Sequence, residues 1–163
     1  MEHRRALMKK KCGAENDPDK PFGLTIMYFA PMPKRKEIFP SPTRPMEFVA
    51  VLVIILPTLE GPAYLFMAYD PFRDKIFNQQ VEADDSPESL LKFIYYLAED
   101  PLFPTEIKEG FTLVLHKYEH LADRMQRILT PLNGTLLFNE VFHHHLTLPV
   151  LKHFEQFLKR RGK

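Results

Sequence analysis

From Phe48 to Leu56 the chain is apolar at odd and even positions alike, the pattern of a strand covered on both faces at the centre of a sheet. A second such run, Ala63 to Tyr69, follows a turn containing Pro57, Gly61 and Pro62. Lys75 to Glu82 mixes Ile76, Phe77 and Val81 with polar residues, as an edge strand does, so the three runs predict an antiparallel meander. Asp85, Ser86, Pro87 and Glu88 then supply a capping side chain, a first-turn proline and an acid near the positive end of the helix dipole. Leu90, Leu91, Ile94, Leu97 and Ala98 recur at helical spacing until Pro101 and Pro104 stop the pattern. Phe111 to Leu115 reads as a fourth strand, and Leu121, Met125, Ile128 and Leu129 line a second helix. Asn133-Gly134 turns the chain into a fifth strand, Thr135 to Phe138. Thr147 and Pro149 open a last helix carrying Val150, Leu151, Phe154, Phe157 and Leu158, which leaves His143, His144 and His145 in a loop before it.

The predicted order is strand, strand, strand, helix, strand, helix, strand, helix. Right-handed crossovers after the meander give an α/β fold, a five-stranded mixed sheet of three antiparallel strands then two parallel ones, with helices on both faces. That order resembles the ribonuclease-H-like architecture.

Residues 1–45 differ from the domain expected over 46–163. Seven of the fifteen prolines lie between Pro18 and Pro45, where fixed φ and missing amide donors disfavour regular structure, so a tail or irregular wrap is expected. Arg4, Arg5, Lys9, Lys10 and Lys11 make its start basic, as a solvated terminus or a nucleic-acid arm. A net charge of +1 over 163 residues leaves no global pull towards nucleic acid, so any such binding is local. The single cysteine, Cys12, cannot close an internal disulfide, and no apolar segment follows the basic start, which points to a cytoplasmic protein. The longest apolar run, Phe48 to Pro57, is about half of the ~20 residues a membrane helix needs.

Leu56-Pro57, Gly61, Tyr64-Leu65, Asp70, Phe72 and Lys75-Ile76 resemble, in order and spacing, the first two strands and the start of the third in the integrase-type catalytic core of insertion-sequence transposases. The resemblance covers residues 48–163, and Arg4 to Gly13 is similar to the basic run that precedes such cores. Asp70 stands where those enzymes have a second-strand aspartate, with Arg73 and Lys75 close to their Ser-Arg-Lys turn; its expected role is to cap that turn.

The family's three carboxylates clamp two divalent ions so that the attacking and leaving oxygens of a phosphodiester are both stabilised. The resemblance puts Leu52, Tyr118 and Lys152 at those positions. Leu52 falls four residues before the Leu-Pro pair and twelve before the Tyr-Leu pair; Tyr118 follows His116, which matches a family histidine; Lys152 is set by Leu158-Lys159. Leucine offers no oxygen, a phenol with a pKa of about 10 is a poor ligand for hard cations, and an ammonium repels them. Among nearby acids, Glu119 adjoins Tyr118 and Glu155 follows Lys152, whereas Glu47 lies roughly 16 Å from Leu52 along an extended strand.

Two histidine patterns stand apart from the resemblance. His116, Glu119 and His120 match an inverted zinc-protease motif, which works only from one helical face with a further ligand; the plainer reading is a strand terminus and a helix cap. His143, His144 and His145 have no accompanying thiolate or carboxylate pattern, so a solvated loop is expected. Lys152, Lys159 and Arg160 gather on the last helix, where cations complement its negative end and are also candidate nucleic-acid contacts.

The resemblance therefore implies a transposase-derived pseudoenzyme, a catalytically inactive integrase-core-like domain serving as a binding module for a protein or nucleic acid, with no cofactor. The alternatives are an active metal-dependent nuclease or transposase core with a shifted carboxylate set, a zinc-binding hydrolase, or an interaction protein of convergent pattern. A homodimer is left open.

Overall fold

Eleven residues, Phe48–Thr58, form β1, and their long apolar stretch explains why β1 lies in the middle of the sheet. The structure, a computed structural model, describes residues 38–101, 103, 107 and 109–161. β1 pairs antiparallel with β2, Gly61–Asp70, with Ala50 opposite Tyr69 and Thr58 opposite Gly61. Leu59 and Glu60 alone therefore make the turn, and Gly61 takes a φ of +126° that a side chain would strain. Pro57 and Pro62, expected within that turn, instead face each other as strand partners. β4, Phe111–Leu115, pairs with β1 only at Phe48, Val49 and Ala50, so the far half of β1 lacks a second neighbour and tolerates a missing donor.

β2 continues antiparallel into the edge strand β3, Lys75–Glu82, with a bulge between Ala68 and Tyr69. Ser86 caps α1, Pro87–Glu99, by accepting from the Ser89 amide at 3.2 Å. β4 runs parallel to β1, and a 3-10 turn at Glu119–Leu121 leads into α2, Ala122–Leu129. β5, Gly134–Phe138, then pairs parallel with β4 and completes the order β3-β2-β1-β4-β5. Its first residue must be glycine, because a Cβ there would sit 2.6 Å from the Phe111 ring.

The last helix, α3, spans Glu140–Arg161 and corrects the sequence expectation of a start at Thr147. Asn139 opens it: its Oδ1 accepts from the Phe142 amide at 2.9 Å and its carbonyl accepts from His143. Pro149 lies inside the helix rather than at its head, and costs the amide that would donate one turn back. Nearby, the Thr147 hydroxyl donates to the His143 carbonyl at 2.9 Å. His143, His144 and His145 are thus helical residues, not a loop.

The sheet is covered on both faces, in the ribonuclease-H-like arrangement. Val49, Val51, Phe66, Ala68, Leu113 and Leu115 pack beneath α1 and α2. Ala50, Leu52, Ile54, Met67, Tyr69 and Val114 pack beneath α3. Phe39, ahead of the predicted boundary at residue 45, stacks on Phe142 with ring centres 5.2 Å apart. No helix among the described residues is long and apolar enough to cross a membrane.

Candidate functional site

β1 and β4 run side by side and in parallel, with Ala50 level with Val114, so the end of β4 opens beside Val51 and Leu52. An integrase-type core would gather its carboxylates at such a mouth. Here Leu52 is 1% exposed and packs with Ile54, Met67, Leu146 and Val150 under α3. Tyr118 belongs to the opposite side, packed against the α1–α2 core, its backbone left-handed at φ 66° and its hydroxyl donating to the Asp85 carbonyl. Lys152 is exposed on α3. The three positions therefore sit in three different surroundings.

The polar groups at the mouth are histidines and one ion pair. His143, 1% exposed, reaches from α3 to the Val51 carbonyl at 2.6 Å. A carbonyl can only accept, so Nε2 carries the hydrogen and donates it. Burial, with the charges of His116 and His144 adding to it and the Val51 bond opposing, pushes the His143 pKa down to about 3. The imidazole is neutral at physiological pH. His116, immediately after β4, lies against it with ring centres 4.7 Å apart. Its own pKa is lowered by burial and then by Lys117, although the residue keeps an exposed flank that softens the effect.

Lys117 is ion-paired with Asp85 and lies 4.9 Å from the centre of the Tyr118 ring. Val51, Phe66, Asp85, Leu115, His116 and Lys117 are among the residues enclosing a cavity of only about 10 Å³. That is room for about one water. Two hard cations and a phosphodiester need several oxygen ligands and far more space than this cavity has.

The remaining acids are dispersed. Glu119 is exposed in the 3-10 turn, and Glu155 is exposed on α3. Glu47 is used in a turn, accepting from the Thr43 amide and hydroxyl, which lowers its pKa. Among the described residues no group of three or more His, Cys, Asp or Glu side chains could hold a metal ion. His116, Glu119 and His120 do not share a helical face: His116 follows a strand and contacts His143, while His120 turns to the Tyr118 ring at 6.1 Å. Arg4, Arg5, Lys9, Lys10, Lys11 and Cys12 lie outside the described residues, and Lys159 and Arg160 fall in the last turns of α3.

Sequence reasoning missed two participants. His143 carried a signal, since Phe142, His143, Leu146, Thr147, Val150 and Leu151 repeat at helical spacing and all are buried. Asp85 reads in the sequence only as part of the helix start, where Ser86 supplies the cap, and its partnership with Lys117 spans 32 residues with no local signature.

No protein-family model matches this chain, and no curated protein matches it in sequence. Among solved structures it is similar to a chain in the cryo-electron microscopy structure of the simian T-cell lymphotropic virus intasome in complex with the PP2A regulatory subunit B56 gamma. The identity is 7% and the TM-score 0.47, over 61% of this chain and 36% of that one. This chain thus spans little more than a third of its structural neighbour, and function has to follow from its own residues.

Proposed function

We propose that this chain is a non-catalytic, integrase-core-like domain that acts as a binding or interaction module. The observation that carries the reading is Leu52, a fully buried leucine where the resemblance calls for a metal-binding aspartate. Around it lie apolar packing, a neutral histidine and the Lys117–Asp85 pair, and among the described residues no group of three or more acids or histidines could hold a metal ion. A protein partner is favoured over nucleic acid by the near-neutral charge and by apolar side chains exposed on the β1–β2 hairpin, Leu59 in its turn at 97% and Ile55 along β1 at 49%.

The test is a titration of the full chain with Mg²⁺ and Mn²⁺, followed by thermal melting and calorimetry, alongside cleavage of duplex and single-stranded DNA. The expected result is no saturable heat, no rise in Tm and no cleavage. A saturable, ion-dependent rise in Tm together with cleavage abolished by a chelator would overturn the reading, because a ligand bound only by the folded state must stabilise it.

A further inference from the structure

A second polar site lies where β2 turns into β3, against the residue that ends α1. There a cavity of about 140 Å³ is lined by Met46, Asp70, Arg73, Lys75, Phe77 and Asp100, among others. Asp70 is 1% exposed, and its two oxygens differ in kind. Oδ1 accepts from the Phe72 amide at 3.0 Å and thereby fixes the turn. Oδ2 receives no hydrogen bond, and the Arg73 Nε stands 3.9 Å away, close enough for ionic attraction but beyond hydrogen-bond reach. A buried carboxylate oxygen without a donor is costly, and no bond within the turn removes the cost.

The size and charge of the cavity restrict what could supply the donor. A cavity of roughly 150 Å³ holds a molecule the size of benzene, and drug-sized ligands occupy about 300–1,000 Å³, which excludes a nucleotide. Two acids and two bases share this small wall. A simple cation would meet Arg73 and Lys75, and a simple anion would meet Asp70 and Asp100; a ligand carrying both signs matches all four. The rest is apolar: Met46 is buried, and Phe77 is stacked on Phe103 at 5.4 Å with their planes 5° apart.

We propose that this cavity binds a small zwitterion, a free α-amino acid of modest size. Its ammonium group donates to Asp70 Oδ2, its carboxylate turns to Arg73 and Lys75, and its side chain lies against Phe77 and Met46. The site stands apart from the β1–β4 mouth, so it neither needs nor supports the loss of catalysis there.

The experiment is an amide chemical-shift titration of the full chain with each of the common amino acids at millimolar concentration, with n-butylammonium and butyrate as single-charge probes. The expected result is saturable shifts at Asp70, Phe72 and Lys75 for one or a few amino acids, with the single-charge probes weaker by about tenfold or more. Asp70→Asn should abolish the response. Should that variant fail to fold, Lys75→Gln, at an exposed position, should weaken binding by about tenfold through loss of the carboxylate contact. Silence from every amino acid, an equal response to n-butylammonium, shifts that persist in Asp70→Asn, or undiminished binding by Lys75→Gln would each overturn the proposal.

Discussion

His143 on α3 and Asp70 at the end of β2 are both 1% exposed, yet their hydrogen bonding is opposite. The imidazole donates to the Val51 carbonyl, lies on the His116 ring and stays neutral. The carboxylate has one oxygen bound to its own turn and the other without a donor beside a cavity of about 140 Å³. Burial alone does not identify a functional group. A buried polar side chain whose capacity is filled from within stabilises the fold, whereas one left half-filled beside open space has reason to bind something.

The hardest test of the apolar packing around Leu52 is Leu52→Asp, which introduces the residue type that the resemblance implies at that position. A carboxylate placed among Ile54, Met67 and Leu146 has no charge partner, so a loss of about 3–5 kcal/mol is expected in urea unfolding, with no recovery on adding Mn²⁺. Leu52→Ala, which leaves only a cavity, should cost about 2–5 kcal/mol and set the scale for packing alone. If Leu52→Asp kept the parental urea midpoint, or regained it with metal, the mouth would be accessible to ions and the contrast with the Asp70 cavity would fail.

Much of this arrangement is legible in the residues alone. Phe48 to Leu56, Lys75 to Glu82 and Asn133-Gly134 marked a central strand, an edge and a turn because each depends on local pattern, and all three stand in the structure. The start of α3 was not legible for a local reason. Pro149 imitates a first-turn proline, and three consecutive histidines look like a polar loop, which masks the apolar repeat from Phe142. The cap expected of Asp70 is present as the bond from the Phe72 amide. The cavity beside it was not foreseeable, since it joins Met46, the β2–β3 turn and Asp100 through tertiary packing. For the same reason the sequence could not show that Leu52 and Tyr118 are packed against different cores.

His143→Ala is the next largest expected effect. It removes the donor to Val51 and opens a void under α3, for a loss of about 2–4 kcal/mol by denaturant unfolding. The residue also gives the molecule a pH signature. Its folded pKa, about 3, lies below the ordinary value of 6.5, so from pH 6.5 downward the unfolded chain takes up a proton that the folded chain refuses. Stability is full above 6.5 and falls as the pH drops towards 3, by up to about tenfold in the folding equilibrium per pH unit from this group. His116 acts in the same direction, more weakly because of its exposed flank. Between pH 6.5 and 4.5 the slope can be assigned to histidine, since the lowered carboxylate of Glu47 contributes only as the pH falls below the ordinary glutamate value of 4.5. A His143→Gln variant should flatten that part of the curve; an unchanged slope would mean that the imidazole is not held neutral.

Asp70→Asn should produce the smallest change, and its smallness is informative. The amide keeps an oxygen to accept from Phe72, so the turn retains its bond, while the charged oxygen that lacks a donor is replaced by a neutral group facing the cavity. Loss of the attraction to Arg73 at 3.9 Å acts the other way, but Arg73 is partly exposed and such pairs contribute little, about 0–1 kcal/mol. The two effects oppose each other, and a net change within about 1 kcal/mol is expected by urea unfolding. A loss as large as that of His143→Ala would show that Asp70 is held as firmly by the fold as the histidine is, and that its second oxygen has a structural partner rather than a vacancy for a ligand.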